Sequence, residues 1–252
     1  MSPSALVEAL ALPPSALVNK RVPKSLLLEH GAPTAADKRF INEGIEEITW
    51  LAALKPNNCA IPAFTSDTHE YLEIASLAVT LRPESKLPRL YELIHRAIPY
   101  PLVLIAQTSE GVTLSLSHKR KALSGTAKVV IDPLVLSAAL ALAAPDANTQ
   151  AFLASLPLGK QPAQNLFAAY NGWIDCVHAL AAAAVAGGYT LPSTPERAAE
   201  RREALAELQK LEEQIQALRK KAGKEKQMDK RVAQNLEVKR LEAELAQKKA
   251  KL

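Results

Sequence analysis

The chain has 252 residues, 48% of them hydrophobic and 4% aromatic, with 31 Lys/Arg against 26 Asp/Glu. That length supports one substantial core and an appendage. The two cysteines, Cys59 and Cys176, exclude a disulfide framework and fit a reducing cytoplasm, and the longest apolar run, Ala179–Ala186, is too short and too Ala-rich to span a bilayer.

Residues 4–19 read as a short helix, a Pro-Pro break and an extended approach. Val22-Pro23-Lys24-Ser25-Leu26 then leads to a turn at His30-Gly31-Ala32-Pro33. Thr34 with Asp37 forms an N-terminal box for a helix over 34–48, with Phe40, Ile41, Gly44, Ile45 and Ile48 inward. After the loop Lys55-Pro56-Asn57-Asn58, Cys59–Phe64 is expected to be a first strand and Tyr71–Leu81 a second. Leu87–Ala97 carries Leu90, Leu93, Ile94 and Ala97 on one helical face, and Pro99-Tyr100-Pro101 stops it. Leu102–Gln107 reads as a buried strand, Ser109-Glu110-Gly111 as a hairpin loop and Val112–Ser117 as its partner, with Lys128–Ile131 adding a short strand. Pro133–Ala144 is Ala-rich, and Thr149–Leu156 and Pro162–Ala186 are expected helices. The second carries Leu166, Tyr170, Trp173, Val177, Leu180 and Ala184 as a core stripe. The order implies an α+β body over 1–190, a small mixed or antiparallel sheet with helices packed on it.

Residues 191–252 predict a C-terminal antiparallel coiled-coil hairpin. Thr194 is the N-cap and Pro195 the first helical residue of an arm with a heptad seam at Ala204, Leu208, Leu211, Ile215, Leu218 and Ala222. A less regular stripe follows at Met228, Val232, Asn235, Val238, Leu241, Leu245 and Leu252, with Asn235 a candidate register residue. Gly223 is the expected helix breaker between the arms. A single rod would leave its seam without a partner, whereas two arms of about 25 residues can bury each other.

Residues 196–252 hold 16 Lys/Arg and 11 Asp/Glu, whereas residues 1–195 hold 15 of each, so the whole positive excess sits in the hairpin. It is densest at the bend, where Arg219, Lys220, Lys221, Lys224, Lys226, Lys230 and Arg231 face only Glu225 and Asp229. Such a tip is a footprint for phosphates or an acidic protein surface; the competing reading is a solvated coiled-coil exterior laced by pairs such as Glu237–Arg240. Two further basic groups, Lys20-Arg21 with Lys24 and Lys119-Arg120-Lys121 after His118, are candidate phosphate contacts. No aromatic platform interleaves with them, which argues against base stacking.

Catalytic signatures are missing. His30, His69, His95, His118 and His178 have no metal-ligand spacing, no Gly-rich phosphate loop occurs, and no GxSxG elbow is present. We therefore assign no catalytic residue, metal or cofactor from the sequence. A metal-dependent nuclease would have to use Glu43 or Glu47, Asp67, Glu70 and Glu73, but Ala75 stands where an acidic-x-Lys strand needs its lysine.

Several segments together carry a family resemblance: Arg21-Val22-Pro23-Lys24, Lys38, Ile45-Glu46-Glu47-Ile48-Thr49-Trp50, Tyr71-Leu72-Glu73-Ile74, Ala97-Ile98-Pro99-Tyr100-Pro101 and Lys224–Asn235. In this order they resemble the bacterial domain-of-unknown-function family 4391, with Met228 where an aromatic is commoner. The resemblance implies an accessory protein found beside helicases and DNA methyltransferases in defence islands, and it brings no active site with it. The expected function is a non-catalytic scaffold subunit of a helicase–methyltransferase anti-phage system. Its expected partners are the helicase or methyltransferase subunits, and no membrane. The alternative is a sequence-nonspecific DNA- or RNA-binding module, with a nuclease as the lesser one.

Overall fold

The computed structural model describes residues 4–83, 87–121 and 129–249. Lys128 and Leu252, each assigned above to an expected element, lie outside them. The chain divides into two compact units, 1–177 and 178–252.

The first unit opens with α1 (Ser4–Ala9), a 3-10 turn at Pro14–Ala16 and β1 (Leu17–Arg21), followed by α2 (Lys24–His30), α3 (Ala35–Gly44) and β2 (Ile45–Leu54). The short α4 (Pro56–Cys59), β3 (Phe64–Thr65) and β4 (Glu70–Tyr71) lead to β5 (Ile74–Leu81), α5 (Leu87–Ala97), β6 (Leu102–Gln107) and β7 (Val112–Leu116). Then come β8 (Lys119–Lys121), β9 (Val129–Ile131), β10 (Val135–Leu136), α6 (Ala147–Ser155) and α7 (Leu166–Ala186), which runs across the division. A six-stranded mixed sheet has the order β1-β2-β5-β6-β7-β10. All its pairings are antiparallel except β5 with β6, which α5 joins as a crossover because parallel neighbours need one. The expected α+β body is present.

The structure differs from these expectations in four segments. The helix expected over 34–48 ends at Gly44, and Ile45–Leu54 is a central strand between β1 and β5. Ile45 and Ile48 fit a helical face and equally fit the β-branched run Ile-Glu-Glu-Ile-Thr-Trp; pairing on both edges decides for strand. Cys59–Phe64 is not a strand, since Pro56–Cys59 forms a helical turn closed by Ala60 in a left-handed conformation. The segment 24–30, read only as an approach to a turn, is helix α2. The strand expected over Tyr71–Leu81 is divided, Tyr71 pairing in β4 and the ladder with β2 beginning at Ile74.

One core lies where α2, α3 and α5 cover the sheet: Leu27, Ile41, Ile45, Ile48, Leu77, Val79, Leu90, Leu93, Ile94, Leu102 and Leu104 are buried together. The N-terminal box of α3 forms as expected, with Thr34 Oγ1 accepting from Asp37 N–H at 3.1 Å. Asp37 then receives Arg89 of α5 in a two-point pair, Nε to Oδ1 at 2.8 Å and Nη2 to Oδ2 at 2.9 Å. The Arg89 and Thr34 hydrogen bonds hold this carboxyl down at about 2. Its stabilisation is present above the ordinary Asp range and is lost as pH falls through about 2.

Gly31 marks the closest approach of α2 to α5. A Cβ there would lie 2.6 Å from the Leu93 carbonyl oxygen and 2.7 Å from Ala97 Cβ. Gly31→Ala is therefore expected to destabilise the body by about 1–3 kcal/mol through overpacking, measured as a lower urea midpoint. An unchanged midpoint would mean that the two helices have room to separate.

The second unit holds the last turns of α7 and two long helices, α8 (Pro195–Lys224) and α9 (Met228–Lys249), packed as a hairpin. Thr194 caps α8 as expected, accepting from Arg197 N–H. The bend is not at Gly223. Gly223 lies inside the last turn of α8, a position that costs only about 1 kcal/mol, and the turn is Glu225-Lys226-Gln227. There Glu225 is extended and its carboxylate accepts the Gln227 N–H at 2.9 Å.

Candidate functional site

The body's basic groups are largely committed to internal partners. Lys24 donates to the backbone oxygens of Asn42, at 3.1 Å, and of Ile45. Arg82 donates to those of Asn42 and Glu43 at 3.4 and 3.2 Å. Both cations thus close the C-terminal end of α3, where free carbonyls and the helix dipole favour positive charge. Burial, with Arg82 and Arg21 nearby, lowers the Lys24 pKa.

Lys119 repeats the device at the end of α5. It is 4% exposed, its ammonium donates to the Ile98 carbonyl, and burial pushes it down to about 7. Lys119 is therefore withdrawn from the surface, and the Lys24 ammonium is already engaged by backbone oxygens. The segment 119–121 is strand β8, paired with β9. Its neighbours are tied as well: Arg120 Nε to Asp132 at 2.5 Å, Lys121 to Glu70 at 3.3 Å and Arg21 to Glu47 at 3.8 Å. Of the six body cations proposed for phosphate, Lys20 alone has no ion pair or side-chain hydrogen bond among the described residues.

The nuclease carboxylates do not converge. Glu43 pairs with Arg39, Glu47 with Arg21, Glu70 with Lys121 and Glu73 with Lys55 at 3.1 Å. Among the described residues no three His, Cys, Asp or Glu side chains gather where they could hold a metal ion. Neither Cys59 nor Cys176 is in a disulfide.

Two histidines far apart in sequence do meet. His69 and His118 lie with ring centroids 5.9 Å apart in a nest with Phe167, Tyr71 and Tyr170. Tyr71 O–H and His118 Nδ1 are 2.5 Å apart, and His118 Nε2 is 3.1 Å from Asn171 Oδ1. No spacing signal could have found this nest, because the start of β4, the link between β7 and β8, and α7 contribute to it from three parts of the chain. Its hydrogen bonds make it a structural tie. His95, fully buried against Ser115 Oγ at 2.9 Å, is a core histidine whose pKa burial lowers, with Lys119 acting in the same direction.

The hairpin seam forms on one of the two phases the sequence offers. Leu208, Leu211, Ile215 and Ala222 of α8 are buried with Val238 and Leu241 of α9, and Leu218 and Leu245 pack against them. Met228, Val232 and Asn235, expected on the seam, are not there: Met228 is 63% and Val232 50% exposed, and Asn235 is exposed too. Stepping back by fours and threes from Leu245 through Leu241 and Val238 leads to Gln234, a residue away from Asn235, and that residue faces α8. Its Oε1 is buried without a hydrogen-bond partner among the described residues. Ion pairs lace the arms: Lys248 with Glu207 at 2.5 Å, Lys249 with Glu212 at 2.7 Å, and Arg219 with Glu242. Arg240 pairs with Glu237 along α9, as expected.

Toward the bend that lacing stops. Lys220, Lys221, Lys224, Lys226 and Lys230 are exposed and have no ion-pair partner among the described residues. Arg231 has only the Met228 sulfur, at 3.0 Å. The tip is thus the one place among the candidate surfaces where positive charge is both dense and uncompensated.

A body built on a six-stranded mixed sheet with helices, followed by a charged helical hairpin, defines an α+β protein. The chain belongs to DUF4391, a domain of unknown function, whose family model matches residues 10–245. No curated protein and no solved structure matches it. No helix among the described residues is long and apolar enough to cross a membrane.

Proposed function

We propose that this protein is a non-catalytic accessory subunit that docks other macromolecules through its hairpin tip. The carrying observation is the set of five unpaired lysines at the end of two mutually buried helices. A rigid, like-charged tip gains little from its own fold and much from a partner that supplies negative charge. The family's resemblance to proteins beside helicases and DNA methyltransferases makes those subunits of an anti-phage system the first partners to test. The body offers a second surface, a groove of about 1040 Å³ among Leu26, Trp50, Ala97, Ile98, Tyr100 and Val130. Co-expression with the helicase and methyltransferase subunits of such a system should yield a complex that survives purification. Free elution of this chain from both would reject the reading.

A second reading, sequence-nonspecific binding of DNA or RNA, draws on the same lysines. It requires affinity that falls steeply with salt. Replacing Lys220, Lys221, Lys224 and Lys226 by Glu removes those contacts and adds repulsion, and binding to a random duplex at low salt should drop about 100-fold or more. Equal affinity of the variant and the parent would remove nucleic acid from consideration at the tip.

A further inference from the structure

α9 has two apolar faces, and only one of them is covered. Val238, Leu241 and Leu245 turn toward α8. Met228, Val232 and Leu236 recur at every fourth residue and are 63%, 50% and 62% exposed. At about 100° per residue their stripe is centred roughly 160° around the helix from the seam, and at about 1.5 Å per residue it spans about 12 Å. Ala243 and Ala246 extend the same face and are also exposed. Three large aliphatic side chains aligned on one exposed face are not scattered surface hydrophobics; they form a contiguous strip of the kind that marks an interaction site. The charge around the strip is predominantly positive, since residues 219–236 contain seven Lys/Arg and two Asp/Glu.

We infer that this outer face of α9 is a seam for a third helix, supplied by a partner protein whose apolar stripe is flanked by Asp and Glu. The inference rests on the docking reading above and adds the surface and the chemistry of the partner. A row of large apolar side chains one turn apart on an exposed helix face is what a partner helix can pack against, and acidic flanks would complement Lys224, Lys226, Lys230 and Arg231. A second copy of the hairpin would bring the same positive border against itself, which like-charge repulsion opposes. Nucleic acid would satisfy the lysines and leave the aliphatic row in water. An anionic lipid surface suits a helix with a broad apolar face and interfacial aromatics, whereas α9 has no aromatic residue and its strip is interrupted by Lys239.

The test uses the full chain and a synthetic coiled-coil peptide with leucine along its seam and glutamate on both flanks. Controls are the same peptide with glutamine flanks, polyglutamate, phosphatidylserine vesicles and a random DNA duplex. The parent chain should bind the acidic peptide with a salt-sensitive affinity. The double change Val232→Ser with Leu236→Ser, at exposed positions that leave helicity intact by circular dichroism, should weaken binding about tenfold or more. Lys224→Gln with Lys226→Gln and Lys230→Gln should weaken it as well. Binding indifferent to the serine changes, no binding, vesicle binding in place of peptide binding, or self-association abolished by the serine changes would each overturn the inference. Hairpin-dependent co-purification with the helicase or methyltransferase subunits that ignores the serine changes would leave the docking reading standing and remove this seam alone.

Discussion

Trp173→Ala is expected to destabilise the body by about 3–5 kcal/mol, enough to leave much of the protein unfolded near 37 °C. The indole is fully buried, and its Nε1–H donates to the Leu156 carbonyl at 2.8 Å. That carbonyl ends α6, at the start of a loop that Gln161 also fastens, its amide donating to the Ser155 oxygen at 2.8 Å. Alanine would open a cavity and strand a carbonyl at once. Trp173→Phe separates the two losses: it keeps most of the volume and forfeits only the hydrogen bond, worth about 1–3 kcal/mol when a buried group is orphaned. Urea unfolding of the parent and both variants should rank them in that order. A Phe variant as unstable as the Ala variant would show that the hydrogen bond, and not the packing, dominates.

Lys119 should write a slope into the pH dependence of stability. Its folded pKa of about 7 lies below the ordinary lysine value of 10.5. Below about 7 both the folded and unfolded chains hold the proton, and the full penalty of a buried ammonium is present. Between about 7 and 10.5 the unfolded chain binds a proton that the folded chain has released, so unfolding free energy rises with pH, by up to about 1.4 kcal/mol per unit. Lys119→Met keeps the stem length and removes the titration. The difference between parent and variant should grow in the parent's favour from pH 7 to 9, apart from the constant loss of the bond to Ile98. Parallel curves across that range would show that Lys119 stays charged in the fold. Lys24, whose pKa is also lowered, contributes equally to parent and variant and drops out of the difference.

The elements that could be read from the chain are those whose signals are local. The α5 face, the β6–β7 hairpin with its Ser109-Glu110-Gly111 loop, the Thr34 and Thr194 caps and the two-armed C-terminus all follow from spacing and turn chemistry. What escaped depends on distant partners. Nothing within Ile45–Trp50 distinguishes a helix extension from a strand until β1 and β5 pair with it on both edges. The lysine clusters look alike, yet Lys24 and Lys119 meet helix-end carbonyls some 20 residues away in the chain, while the tip lysines have no ion-pair partner among the described residues. The α9 seam was half legible. From Val232 its supposed members advance by three residues three times running, Asn235 to Val238 to Leu241, and each such step turns the row about 60° around the helix. That drift was the warning that two rows had been joined into one, and it is why Met228 and Val232 face outward.

The margins of the large sheet give the body's basic arm another role. Its outermost strands are β10, only two residues long, and β1, whose register shifts between Leu17 and Lys20 around Asn19 in a left-handed conformation. A kinked margin ending in Lys20 and Arg21, opposite a margin too short to template anything, is poor material for stacking one molecule on the next. Straightening the kink, by deleting Asn19 and exchanging Lys20 for Val, would leave the hairpin untouched and turn a guarded edge into one open to pairing with further copies.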